Sequence, residues 1–224
     1  MKVLELFAGS RSIGRVAEQF GWEVFSVDIN DFEGIDYVTD ILDFDYNEVP
    51  FVPDIIWASP PCTTFSVASI GRHWDKDRTP KTDKAINGIN IVKKTLEIIE
   101  HYTWNNTRLY YFIENPRGML RKMDFMPNDF RKTVTYCQYG DTRMKPTDIW
   151  TNSKHWNPRP MCKNGDSCHT SAPRGSRTGT QGLKGNYERS KIPTDLCVDV
   201  LLSCSKEVVL GGKGFYTHLI NNPL

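Results

Sequence analysis

Apolar residues recur along the chain in two patterns, short runs that suit strands and three-to-four-residue spacings that suit helices. Val3-Leu4-Glu5-Leu6-Phe7 is a run closed by Ala8-Gly9-Ser10, and from Arg11 the positions Ile13, Val16, Ala17 and Phe20 repeat at helical spacing until Gly21. The segment reads as strand, tight turn, helix. Further strands are predicted over Glu23–Asp28, Pro53–Ala58 and Arg108–Glu114, and helices over Ile86–Tyr102 and Ile192–Ser203. Strands alternating with helices make an α/β protein with a mostly parallel sheet. Ligands in such sheets sit at the carboxyl ends of the strands. Asp28, Cys62 and Glu114 stand at or just beyond three of those ends, aimed at one crevice.

The segment from Thr151 to Lys191 breaks these patterns. It is rich in Gly, Ser, Thr and Pro, and it holds eight of the 28 basic residues but only two of the 27 acidic ones, although the whole chain is nearly neutral at +1. The basicity is therefore local. A solvated loop with accidental basicity is one reading, and an insert that contacts a polyanion is the other, since phosphate neutralisation needs clustered Lys and Arg. The organisation expected is a catalytic unit over 1–150, a small basic insert over 151–191, and a segment over 192–224 that returns to the first unit.

With 224 residues, the chain is long enough to bury a core without covalent staples, so its six cysteines are expected to be reduced. No stretch approaches the ~18 apolar residues of a membrane span, and the N-terminus is too short and charged for a signal peptide. A cytoplasmic monomer is expected.

Three motifs carry chemistry. In Phe7-Ala8-Gly9-Ser10-Arg11-Ser12 small residues let backbone amides approach a ligand, and Asp28 at the next strand end can accept from both hydroxyls of a ribose. The turn lacks Gly-x-Gly-x-x-Gly, so it suits a cofactor with adenosine but no pyrophosphate. Ser59-Pro60-Pro61-Cys62 follows a strand directly, and two prolines fix the backbone where a nucleophile has to be held. Arg72, Arg78 and Arg143 are the cations expected to activate that thiol. Glu114-Asn115-Pro116 ends the most hydrophobic strand, where a carboxyl emerging from a dry wall can hold or exchange a proton.

Phe7-Ala8-Gly9, Asp28, Asp40-Ile41, Pro60-Pro61-Cys62 and Glu114-Asn115-Pro116, in this order and at these spacings, resemble the motifs of the cytosine-C5 DNA methyltransferase family, especially its small phage-type members. The resemblance spans residues 3 to about 150, and the helix near Ile192 extends it. It implies a Rossmann-like S-adenosylmethionine-dependent methyltransferase fold acting on DNA, in the host cytoplasm if the chain is phage-encoded. It places S-adenosylmethionine against Phe7, Ala8, Gly9, Ser12, Asp28, Ile29, Asp40, Ile41 and Pro60. Cys62 and Glu114 become the catalytic pair, and Arg143 orients the base. Arg72, Arg78, Arg174, Arg177 and Lys184 become the DNA contacts. The Thr63–Lys84 stretch is placed to close over a flipped base as a mobile lid.

The sequence departs from the family pattern at Cys62-Thr63 and Asn115-Pro116, and its recognition insert is very short, which implies a short or relaxed target sequence. Related chemistry on tRNA or a free cytosine nucleotide, amino-group DNA methylation and a silent DNA binder are the rival readings. Ser59-Pro60-Pro61 resembles the amino-methyltransferase motif, but that chemistry needs an aromatic at position 62. Cys162, Cys168 and His169, with His155 nearby, are weak metal ligands in sequence, since Cys-x5-Cys-His is no familiar zinc spacing. They are expected to be free, surface-lying thiols with no bound metal.

Overall fold

The computed structural model describes residues 1–171 and 185–209. Seven strands form one sheet: β1 (Lys2–Leu6), β2 (Glu23–Asp28), β3 (Tyr37–Val38), β4 (Ile55–Ala58), β5 (Tyr110–Pro116), β6 (Arg131–Thr135) and β7 (Pro146–Thr151). Their order across the sheet is β3-β2-β1-β4-β5-β7-β6. The first five strands in that order run parallel, and β7 enters antiparallel between β5 and β6. Five helices complete the described part: α1 (Ser12–Gln19), α2 (Ile70–His73), α3 (Asp83–Asn105), α4 (Asn186–Ser190) and α5 (Thr194–Val209). The chain has the expected Rossmann-like α/β fold, and none of the described helices is long and apolar enough to cross a membrane.

Successive strand residues face opposite sides of the sheet, and the apolar runs therefore build two cores. Leu4, Leu6, Ile56, Ala58 and Ile113 join Val92, Ile98 and Ile99 of α3 in one. Val3, Ile55, Trp57, Phe112 and Ile149 join Ile13, Val16 and Ala17 of α1 and Leu196, Val200 and Leu201 of α5 in the other. Each large side chain so buried contributes about 1.5–3 kcal/mol relative to exposure. The α3 helix starts earlier than its apolar spacing predicts, because the Thr82 hydroxyl accepts from the Ala85 amide at 3.3 Å and caps it.

Two corrections concern the sheet. Strands β6 and β7 were not predicted, since their buried positions include polar residues. Asp148 of β7 is wholly buried and tolerated because Arg121 grips it through Nε and Nη2 at 2.9 and 2.7 Å. Pairing with β7 also carries β5 on through Pro116, so that Glu114 lies inside β5, one residue beyond its last pair with β4.

Packing runs on past the end of β7. Trp156, just past β7, is buried in the second core against Phe112, and its indole N–H donates to Asp199 of α5 at 3.0 Å.

Candidate active site

The strand order reverses at β1 and β4, and the loops after these strands open side by side. After β1 the backbone turns sharply, with positive φ at Phe7, Gly9 and Arg11. Arg11 offers no side-chain cap to α1. The amides of Ile13 and Gly14 donate instead to the carboxylate of Glu5, both at 3.1 Å, and Ser26 donates to it at 3.3 Å. The helix N-terminus, an anion site in phosphate-binding folds, is thus taken by the protein's own acid. Burial pushes the Glu5 carboxyl up to about 7 in spite of these donors. Arg11, the cation of the turn, is turned away onto Ser26 and Glu18.

At the end of β2, Asp28 accepts from the Gly9 amide at 2.9 Å through one carboxylate oxygen and from Asn30 through the other. The carboxylate is held against the glycine turn, half-buried. Ile29 beside it is 63% exposed. Asp40 caps a short turn by accepting from the Leu42 amide at 3.0 Å. Ile41, expected on the cofactor wall, is buried in the first core. Ser12 accepts from the Ile192 amide at 3.2 Å, which brings the chain after α4 back onto this turn.

Cys62 and Glu114 are brought together by a clasp between strand ends: the Asn115 side-chain amide donates to the buried Pro60 carbonyl at 2.9 Å. Phe65 and Ser66 then donate their amides to the Cys62 carbonyl at 3.1 and 3.0 Å, so the chain folds back at once behind the thiol. The half-buried thiol is pushed up by burial and, secondarily, by the charge of Glu114; Lys145 and Arg189 act in the opposite direction. Lys145 and Arg189 are thus cations beside the thiol that the sequence reading did not name.

Glu114 is buried and has two partners that the sequence reading missed. The Tyr136 hydroxyl donates to its Oε1 at 2.8 Å, and Lys145 Nζ lies 3.7 Å from the same oxygen while sitting 4.4 Å over the Tyr136 ring. Burial and the neighbouring Glu114 push the Tyr136 phenol well up, so it remains a donor. Arg143 is turned elsewhere. Its guanidinium and amide are bound to Asp141, with a further bond to the Arg189 carbonyl at 3.3 Å. The ion beside the carboxylate is Lys145, two residues on, because β7 begins at Pro146 and aims the preceding side chain inward.

The Thr63–Lys84 stretch is packed rather than loose at its middle. Trp74 is buried on Phe65 and donates to the Thr64 carbonyl at 2.8 Å, and His73 bonds the Thr82 hydroxyl at 2.7 Å. Arg72 is exposed, and Arg78 donates to the Lys122 carbonyl at 3.2 Å. Arg174, Arg177 and Lys184 lie outside the described residues.

The expectation of surface-lying thiols in the insert is overturned. Cys162 is buried and Cys168 half-buried, drawn inward with His169 against Cys137, because Cys162 bonds back to Thr135 at the end of β6 and Thr170 to Thr142 in the loop after it.

No protein-family model matches the chain. It is 29% identical over 223 residues to a protein of Frog virus 3 (isolate Goorha) named "Probable DNA (cytosine-5)-methyltransferase", which aligns with 91% of this chain over its own entire length. Among solved structures, the Dnmt2 methyltransferase of S. pombe matches at 15% identity and TM-score 0.44, over 67% of this chain and 48% of that one. A DNMT2 variant of Spodoptera frugiperda matches at 18% identity and TM-score 0.44, over 73% and 56%. The chain spans about half the length of these two structures. The match runs along the whole of the viral protein, so what this chain is similar to over its length is a protein named as a probable DNA (cytosine-5)-methyltransferase.

Proposed function

We propose that the chain is a DNA (cytosine-5-)-methyltransferase that uses S-adenosylmethionine and works through a covalent bond from Cys62 to C6 of a flipped cytosine. The observation that carries this reading is the clasp of Asn115 on Pro60, which sets a thiol and a buried carboxylate at neighbouring strand ends. A thiol alone is common; a thiol so fixed beside a carboxylate with its own donor and cation is a constellation for covalent catalysis.

The residues around the β1 turn fit the cofactor. Glu5 occupies the helix N-terminus and Arg11 is turned away, which disfavours a pyrophosphate, while Asp28 and Asp40 present acceptors and Ile29 presents an apolar face. Asp28 would hold the ribose, Asp40 the adenine amine, and Phe7 and Ile29 the flat and sulfonium parts. When bound, S-adenosylmethionine supplies an electrophilic methyl group.

The chain's residues prepare the pyrimidine for it. A duplex hides C5 and C6, so the base leaves the stack at a cost of a few kcal/mol. Glu114 then faces N3 and the exocyclic amine, with Tyr136 and Lys145 fixing its orientation. Burial and the charge of Glu114 keep the resting thiol protonated; Lys145 and Arg189 favour the thiolate, and neutralising Glu114 by a shared proton removes the main charge opposing it. The thiolate would add to C6 and make C5 nucleophilic toward the methyl group, whose sulfonium S–CH3 bond would break as the C5–CH3 bond forms; loss of the C5 proton to solvent and departure of the thiolate would then restore the ring. The short insert leaves few side chains for base edges, which favours a short or relaxed target.

DNA carrying 5-fluorocytosine tests the reading, since fluorine blocks the last elimination. With S-adenosylmethionine the wild-type protein should leave a covalent band that Cys62→Ala lacks. Methylation of ordinary DNA without that band would overturn the thiol route.

A further inference from the structure

The side chains of Cys137, Cys162, Cys168 and His169 converge although they come from separate segments. Cys137 lies on the turn after β6, Cys162 on the strap that follows β7, and Cys168 and His169 farther along that strap. Their ligand atoms all lie within 4.8 Å of one another. The sulfurs of Cys137 and Cys162 are 3.1 Å apart, those of Cys137 and Cys168 3.5 Å, and His169 Nδ1 is 3.8 and 3.6 Å from the sulfurs of Cys162 and Cys168. Zinc with metal–sulfur bonds of ~2.3 Å and metal–nitrogen bonds of ~2.0 Å in a tetrahedron puts its ligand atoms ~3.5–3.8 Å apart. Three of these four separations match such edges, that between Cys137 and Cys162 is shorter, and the two remaining ones are no longer than 4.8 Å.

We propose that these four residues bind a structural zinc ion, a Cys3His site that fastens the strap to the catalytic unit. Three further observations support it. All three thiols are unbridged. The Gln138 side-chain amide donates to Cys168 Sγ at 3.4 Å, the kind of outer bond that steadies a metal thiolate. The backbone on both sides is already tied down: the Cys162 amide donates to the Thr135 hydroxyl at 3.0 Å and the Thr170 amide to the Thr142 carbonyl at 3.0 Å. Binding replaces three S–H protons, which leave to solvent, by three Zn–S bonds, with the fourth bond from the neutral imidazole.

The sequence alone shows only the Cys-x5-Cys-His end of this set. Its fourth member, Cys137, stands 25 residues before Cys162, in the loop of the β6–β7 hairpin, and is brought in by the fold. The site also adjoins the candidate active site, since Cys137 follows Tyr136, whose hydroxyl is bonded to Glu114. Zinc would therefore hold the strap and fix the turn that presents Tyr136.

The test reads metal, and its outcome does not depend on methyl transfer. Elemental analysis of the full chain purified without chelator should find about one zinc per molecule. Exchange with cobalt should give the absorption bands of tetrahedral thiolate–cobalt coordination. Cys162→Ser should lose the metal, His169→Cys should keep it with a shifted cobalt spectrum, and Cys204→Ala, in α5, should keep it unchanged. If Cys162→Ser does not fold, the cobalt spectrum of the wild type and of His169→Cys still decides. Wild-type protein with background zinc and no thiolate–cobalt bands, or with a disulfide among the three cysteines, would overturn the proposal. So would zinc retained when Cys137 and Cys168 are both replaced.

Discussion

Glu5 makes a prediction that joins the fold to the cofactor turn. Its carboxylate caps α1 from inside the sheet, accepting from the Ile13 and Gly14 amides, and burial raises its pKa from 4.5 to about 7. Desolvation outweighs the three donors because the group is 2% exposed. The folded chain then binds a proton more tightly than the unfolded one, so stability from this group is full at acidic pH, below the unfolded value of 4.5, and is lost as pH rises through about 7. The span of the shift amounts to about 3 kcal/mol at 1.36 kcal/mol per pKa unit. The perturbation is Glu5→Gln, read by urea denaturation at a series of pH values across that window. The amide points a donor at one of the two helix amides and starts from a lower stability, by about 1–3 kcal/mol. The signature lies in the slope. Other titrating groups cancel in the difference between the two proteins, so the wild type should lose about 3 kcal/mol relative to the variant as pH rises. Parallel profiles would refute the assignment of the proton to Glu5.

Two further outcomes follow from the site. Tyr136→Phe removes the 2.8 Å bond to the buried Glu114. It should cost about 1.5–3 kcal/mol in denaturation and slow single-turnover methyl transfer by roughly tenfold or more; a variant unchanged in both would show that the hydroxyl does not orient the carboxylate. Gly118→Ala places a Cβ 2.1 Å from the Phe65 carbonyl oxygen, which also accepts from the Met119 amide at 2.7 Å, so neither backbone can yield cheaply. An expected loss of about 1–3 kcal/mol should come with a changed alkylation rate at Cys62, three residues before Phe65, and an unaltered melting curve would contradict the packing described.

Four of the five parallel strands, β1, β2, β4 and β5, were legible because their runs are mostly apolar, whereas the two residues of β3 are too short a run to read. Val3-Leu4 and Ile55-Ile56-Trp57 announce burial with no need of partners. Strands β6 and β7 were not legible, since Arg131-Lys132-Thr133 and Thr147-Asp148 read as surface until Arg121 is seen to grip Asp148. The same holds for the site. Cys62 and Glu114 were found from local context, the rigid prolines and the dry strand. Tyr136 and Lys145 acquire their meaning only from the antiparallel hairpin that aims them at Glu114, and Arg143 was chosen in their place because an arginine near a motif is visible where a hairpin register is not. Glu5 escaped notice because one acid in an apolar run gives no hint that two amides eight and nine residues later will need it.

The antiparallel entry of β7 divides the labour of the sheet. Every acceptor suited to a nucleoside lies at or beyond the first two strands, and both groups that hold the Glu114 carboxylate arrive on residues 136–145, with β5 as the shared hinge of the two sets. On the proposed function, recognition of the methyl donor and handling of the acceptor ring would therefore be free to drift separately, and exchange of the hairpin over residues 131–151 would act on the second and not the first.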